Sequence, residues 1–128
     1  MVFVAGPRQV GKTTLARSLP GASAGYLSWD ILKWVHFEQG AQGRDMDLRY
    51  FRDTDGREVD FVLVEGRRPF LFVEARWGDA EPDRSLRYLK ARFPEADAWQ
   101  VSATGRKDFV TPEGIRVSPA LELLSTLV

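Results

Sequence analysis

The 128-residue chain contains no cysteine, so neither a disulfide framework nor a thiolate metal site is open to it. Histidine is nearly missing too. His36 is the single imidazole, and it stands in an apolar stretch that reads as the core or edge of a helix rather than as a catalyst. No apolar run approaches the roughly 18 residues that a membrane span needs. Residues 1–6 are apolar but have no basic leader and soon meet Arg8, which is not the pattern of a secretory signal. The expectation is a cytoplasmic, soluble protein with no membrane partner. Nor is there an excess of charge. Eighteen Lys and Arg balance 18 Asp and Glu, which argues against a non-specific coat on nucleic acid and leaves local basic patches open. Lysine is scarce, confined to Lys12, Lys33, Lys90 and Lys107. The positive charge is therefore mainly arginine, whose planar fork suits carboxylates and phosphates.

The chain is 44% hydrophobic and 12% aromatic, enough for one core in a single domain or a domain with an appendage. A boundary is expected near residue 30, because residues 20–25 (Pro-Gly-Ala-Ser-Ala-Gly) have linker composition. Before it, residues 2–4 read as a buried strand, 12–19 as a helix stopped by Pro20-Gly21, and 26–29 as a second short strand. After it, residues 31–38 are apolar nearly all round, as in a buried helix. Strands are expected over 47–52, 58–64 and 70–77, the first two joined by a tight turn at Asp53-Thr54-Asp55-Gly56. Residues 82–93 read as a helix ended by Pro94. Leu86, Leu89 and Phe93 form its buried stripe, and Arg84, Arg87 and Lys90 lie off it as a solvated face, which could hold a nucleic-acid backbone if it borders the functional end. Strands over 98–103 and 115–117 follow. Ser118 and Pro119 then look like the N-cap and first turn of a last helix. The four tryptophans, Trp29, Trp34, Trp77 and Trp99, read as core or rim aromatics. The fold class is α/β, with a mixed sheet of four to five strands flanked by helices.

Residues 6–13, Gly-Pro-Arg-Gln-Val-Gly-Lys-Thr, match G-x-x-x-x-G-K-[ST] between a strand and a helix. The chemistry explains the spacing: around Gly6 and Gly11 the backbone N–H groups can curl about phosphates, Lys12 reaches the terminal phosphates, and Thr13 would ligate Mg²⁺. These four are the candidate ATP-binding residues. A phosphate-loop NTPase also needs a neighbouring parallel strand ending in an Asp or Glu for the magnesium water. Residues 61–65 and 70–74 each end in Glu, but a short turn separates them, so they read as one antiparallel hairpin. The expectation is a remnant that holds ATP or phosphate at most and does not turn ATP over. The alternative is a strand–helix appendage packed on the core or on a second copy, which makes a homodimer plausible.

The hairpin carries a second signal. With Gly66-Arg67-Arg68 as its turn, Asp60 faces Glu74 and Glu58 faces Arg76, all on one face at one end. Both faces are otherwise apolar, as in a central, covered hairpin. Opposed carboxylates repel unless a divalent cation sits between them or one stays protonated. The competing reading is an ordinary rim network in which Glu58–Arg76 and nearby arginines neutralise the cluster. The register decides, since a slip of one residue sends Asp60 to the other face.

A strand-borne Asp followed by (D/E)-x-K on the next strand, within an αβββαβ core, resembles the PD-(D/E)XK nuclease signature. Here those positions are Asp60 and Glu74-Ala75-Arg76. Residues 48–62 (Leu-Arg-Tyr-Phe-Arg-Asp-Thr-Asp-Gly-Arg-Glu-Val-Asp-Phe-Val) and 102–108 (Ser-Ala-Thr-Gly-Arg-Lys-Asp) are similar to the C-terminal nuclease-like domain of a bacterial and archaeal AAA-type ATPase family. The phosphate loop with Thr14 and Tyr-Leu-Ser-Trp-Asp (26–30) resemble the start of that family's ATPase. The chain thus looks like an internally deleted member: residues 1–30 a truncated ATPase segment, residues 31–128 a restriction-endonuclease-like domain. The resemblance implies that Asp60 and Glu74 ligate Mg²⁺ or Mn²⁺ and that Asp60, Glu74 and Arg76 form the catalytic set on DNA. Arginine stands where the family has lysine; it cannot act as a base but can stabilise charge on phosphorus. Three functions stay open: a DNA-associated, metal-dependent nuclease-like domain of weakened catalysis, a nucleotide-binding remnant, and a non-enzymatic interaction module.

Overall fold

The computed structural model describes residues 3–5 and 22–127, with side chains from residue 30 onward. Its elements, in order, are β1 (Phe3–Ala5), α1 (Ala22–Ala41), β2 (Met46–Arg52), β3 (Glu58–Glu65), β4 (Arg68–Arg76), α2 (Arg84–Arg92), β5 (Asp97–Ser102), β6 (Phe109–Val110), β7 (Ile115–Pro119) and α3 (Ala120–Thr126). From α1 to β5 the order is the expected helix, three strands, helix, strand. Among the described residues one mixed sheet holds seven strands, ordered β1-β2-β3-β4-β5-β7-β6. The expected four to five grow by β1, which pairs antiparallel with β2 at one edge, and by the two-residue β6 at the other. Strands β1 to β4 run antiparallel in succession, while β4, β5 and β7 are parallel neighbours.

Helix α1 is longer than expected and starts earlier. Residues 26–29 are helical, not a strand, and residue 30 lies inside the same helix. Extending a helix adds a hydrogen bond per residue fixed, whereas a separate short strand needs its own partner, so the apolar helix that follows absorbs these residues. Nor is α1 buried all round: Ile31 and Val35 face inward and Phe37 is 59% exposed. At the other end of the chain Pro119, not Ser118, is the N-cap of α3, and Ser118 is buried in β7.

The hairpin β3–β4 lies in the middle of the sheet, so both its faces are covered. On one side Ile31 and Val35 of α1 and Leu123 of α3 pack on Phe61, Leu63, Leu71 and Val73. On the other, Leu86 and Leu89 of α2 pack on Val59, Val62, Val64 and Phe72. Burial of a large aliphatic or aromatic side chain contributes roughly 1.5–3 kcal/mol, and these two layers hold the hairpin rigid under whatever its polar end does.

Candidate active site

The sheet register brings the two predicted carboxylates together. Phe61 pairs with Val73, Val62 with Phe72 and Leu63 with Leu71, the register that sets Asp60 beside Glu74. Their side chains share a hydrogen bond, and Asp60 Oδ2 also accepts the Ala75 backbone N–H at 3.1 Å. Glu74 is 4% exposed. Burial is the main force pushing its carboxyl well above the ordinary range, and the Asp60 carboxylate beside it pushes the same way. Burial also raises Asp60, opposed by the hydrogen bonds that its charged form accepts. Both carboxyls are pushed upward, so the pair favours keeping a proton between its oxygens, with Glu74 the more strongly raised of the two.

Two irregularities shape this end. Between the pairs Arg49–Val62 and Phe51–Val59, β3 carries one residue more than β2. This bulge falls at Asp60 and Phe61, and it puts Val59 and Phe61 in opposite cores instead of on one face. Bulges bend the strand and re-aim side chains, and here Glu58 leaves the cluster. It pairs with Arg52 across β2, with a 2.8 Å contact to the Arg52 guanidinium, not with Arg76 as expected. The second bulge lies at Phe70, because Leu63 faces Leu71 but Val64 faces Pro69. It turns Phe70 to the α1 side, against Trp34. The hairpin turn itself is Gly66-Arg67 between paired Glu65 and Arg68, one residue shorter than expected. Gly66 has φ +63°, as the first central residue of a II′-type turn requires.

Arg76 stays at the site with other partners. Its Nη2 reaches Asp83 Oδ1 at 2.6 Å, while Nη1 lies 3.8 Å from Glu74 Oε2 and donates to the Ala75 carbonyl at 3.3 Å. One guanidinium thus faces a carboxylate, a carboxyl group and a carbonyl. Asp83 is a residue that sequence reasoning placed inside α2 and missed. It is the N-cap, accepting from Ser85 N at 2.8 Å and Leu86 N at 3.3 Å. The signal was present, an Asp after Pro82 and before an amphipathic run. Gln100, on β5, is 2% exposed and spends its amide on the segment before the helix. It donates to the Ala80 and Glu81 carbonyls at 3.1 and 2.9 Å and accepts the Asp83 N–H at 2.8 Å. Gln100 therefore fixes the loop that delivers Asp83 to Arg76.

Beyond the ends of parallel β4 and β5, two loops are tied together. Ala103 N donates to the Arg76 carbonyl at 3.0 Å and Thr104 N to the Trp77 carbonyl at 2.8 Å. The Asp79 carboxylate accepts the Arg106 and Lys107 N–H groups at 3.3 and 3.1 Å. A side chain at Gly105 would strike the Asp79 carboxylate and the Ser102 hydroxyl, each 2.3 Å from the position of a Cβ. The Ser-Ala-Thr-Gly-Arg-Lys-Asp run is thus a structural clasp in its glycine and its backbone amides.

Among the described residues no three His, Asp or Glu side chains gather to hold a metal ion. Asp60 and Glu74 would offer two carboxyl groups, and Mg²⁺ commonly takes one or two carboxylates and keeps several waters. The pair fits such a cation once its shared proton is lost, and the Arg76 charge opposes it. His36 is exposed on α1, and Trp99 packs under Arg116 at 4.4 Å. Gly6, Gly11, Lys12 and Thr13 lie outside the described residues, as does the helix expected over 12–19.

No curated protein and no solved structure matches the chain. Residues 33–123 match the family described as Domain of unknown function (DUF4143), a span that holds Asp60, Glu74, Arg76, Asp83 and Gln100 together with the strands that carry them. With some seven-tenths of its length in that match, the chain belongs to the DUF4143 family.

Proposed function

We propose that this is a restriction-endonuclease-like, DNA-associated domain that hydrolyses phosphodiesters weakly with Mg²⁺ or Mn²⁺. Residues 1–30 would be the remnant of an AAA-type ATPase segment. The observation that carries the reading is the Asp60–Glu74 pair, two carboxyl groups held side by side on adjacent central strands with a hydrogen bond between them and Glu74 buried. Such pairs are costly to fold and recur where a cation or a proton is handled. The αβββαβ order supports it. A bound metal would supply an activated water and offset charge on the scissile phosphate. Asp60 and Glu74 would hold that metal. Arg76 stays protonated, so it can stabilise negative charge on the phosphate but not take a proton from water.

The Arg76 contacts favour a second reading, a DNA-associated module that does not cleave. An internal cation facing Glu74, Ala75 and Asp83 competes for the oxygens a metal would use. The test is cleavage of supercoiled and branched DNA with Mn²⁺. The nuclease reading expects slow nicking that Asp60→Ala and Glu74→Ala abolish. Nicking unchanged in both variants, or none at any Mn²⁺ concentration, leaves the second reading.

A further inference from the structure

A cleft of about 760 Å³ opens between the β2–β3 turn and the start of α2, lined by Asp55, Arg57, Asp83, Arg84, Arg87 and Tyr88 among others. It adjoins the site just described through Asp83, which lines the cleft and whose carboxylate holds Arg76. The acids lining it are already committed: Asp55 to Arg57, and Asp83 to Arg76 and the helix N-cap. Arg57 is committed in turn, to Asp53 and Asp55 at 2.9 and 3.0 Å. Arg84 and Arg87 are exposed, and neither makes a close ion pair with a described carboxylate; Arg87 is near enough to Glu113 to add to the Thr111 hydrogen bond in holding that carboxyl below its ordinary value. Three residues apart, they share one helix face. The Asp83 carboxylate already caps the first amides of α2, so the positive field at this end comes from the two guanidiniums and not from the helix dipole. Tyr88 offers no free ring for a base, since Arg57 lies 4.1 Å over it and Phe51 stacks on it.

We infer that this cleft binds the sugar–phosphate backbone of a nucleic acid strand, with Arg84 and Arg87 each taking a phosphate, and leads that strand to the Asp60–Glu74 end. The inference rests on the reading of that pair as the hydrolytic centre, and it adds the track by which a polyanion reaches it. Two exposed guanidinium forks without a close ion-pair partner, and with no open aromatic face beside them, suit backbone phosphate and not bases.

The experiment is fluorescence anisotropy of a labelled duplex oligonucleotide with the full chain in EDTA, over a salt series. Arg84→Gln with Arg87→Gln is expected to weaken binding about tenfold or more and to lower the slope of log K against log salt by about two, each phosphate contact contributing ~0.9. Arg67→Gln with Arg68→Gln, equally exposed arginines at the far end of the hairpin, is the control and leaves affinity unchanged. Equal weakening by both pairs, no weakening by the first, or no binding by the unaltered chain overturns the inference. Titration of Mn²⁺ against the unaltered chain and Asp60→Ala, without nucleic acid, tests the metal pair separately. A failed phosphate track is thereby distinguished from a failed hydrolytic centre.

Discussion

Glu74 decides how the site behaves with pH. Its carboxyl titrates from an ordinary value of 4.5 when unfolded and is raised on folding by burial and by Asp60. A raised acid binds its proton more tightly in the native state, so the stability it contributes is fully present below about pH 4 and fades as pH rises toward the folded value. Glu74→Gln keeps a donor for Asp60 and removes the titration. The variant is expected to be more stable than the unaltered chain above neutral pH, on the order of 1 kcal/mol, with no gain near pH 4. Thermal melts across that range check it; a gain that is the same at every pH would contradict the shared proton. Arg76 gives the complementary prediction. Its guanidinium faces the oxygens that a divalent cation would use, and two cations a few ångströms apart repel by several kcal/mol at the effective dielectric near a protein surface. Arg76→Gln should therefore tighten Mn²⁺ binding by about tenfold or more, read by calorimetry. Arg76→Lys should raise Mn²⁺-dependent nicking, since a lysine can lose its proton and arginine does not.

At the scale of elements, the segment between β4 and α2 is where stability and site meet. Gln100 makes three hydrogen bonds to it from within the sheet. Gln100→Leu keeps the volume and orphans an N–H and two carbonyls, a loss of about 2 kcal/mol. Urea midpoints should show that loss, and hydrogen exchange should show the Asp83 and Ser85 amides exposed while the β3–β4 amides stay protected. Uniform exposure would mean that Gln100 supports the whole core and not this loop. The same elements show what the sequence could and could not disclose. Alternation and the glycine turn placed β3 against β4, but the turn is one residue shorter than the sequence suggested, and Asp60 still comes beside Glu74 because the bulge at Phe70 makes up the missing residue. The bulges at Asp60 and Phe70 left no mark in the pattern. Each inserts one residue that the alternation of the strand does not mark, and what it moves, Glu58 outward and Phe70 across the sheet, depends on neighbours far away in sequence. Asp83 was legible as a cap, yet its bond to Arg76 was not, since nothing local links the two.

For the whole molecule, the sheet order bears on the phosphate loop. In a working phosphate-loop enzyme the strand before the loop lies beside a parallel strand whose terminal Asp or Glu positions the magnesium water. Here β1 is the edge strand, and its neighbour among the described residues is β2, which runs antiparallel, with Phe3 opposite Phe51 and Ala5 opposite Arg49. The Glu65 and Glu74 strands, which could have served, are β3 and β4, two and three places inward, and β3 meets β4 antiparallel. The sequence had already read them as a hairpin, because a turn this short cannot make the crossover that parallel neighbours need. It had not shown that β1 would join this sheet, since the strand is three residues long and its partner lies some 45 residues onward. The chain is accordingly expected to release no phosphate from ATP above background, with or without Mg²⁺, and Lys12→Ala should not alter that baseline. Anion binding is a separate matter, because backbone N–H groups at a glycine-rich turn can hold phosphate without a catalytic carboxylate. Steady ATP turnover that Lys12→Ala abolishes would mean that a carboxylate from outside this sheet completes the site, and that the N-terminal segment acts as an ATPase and not as a strand on the edge of a nuclease-like core.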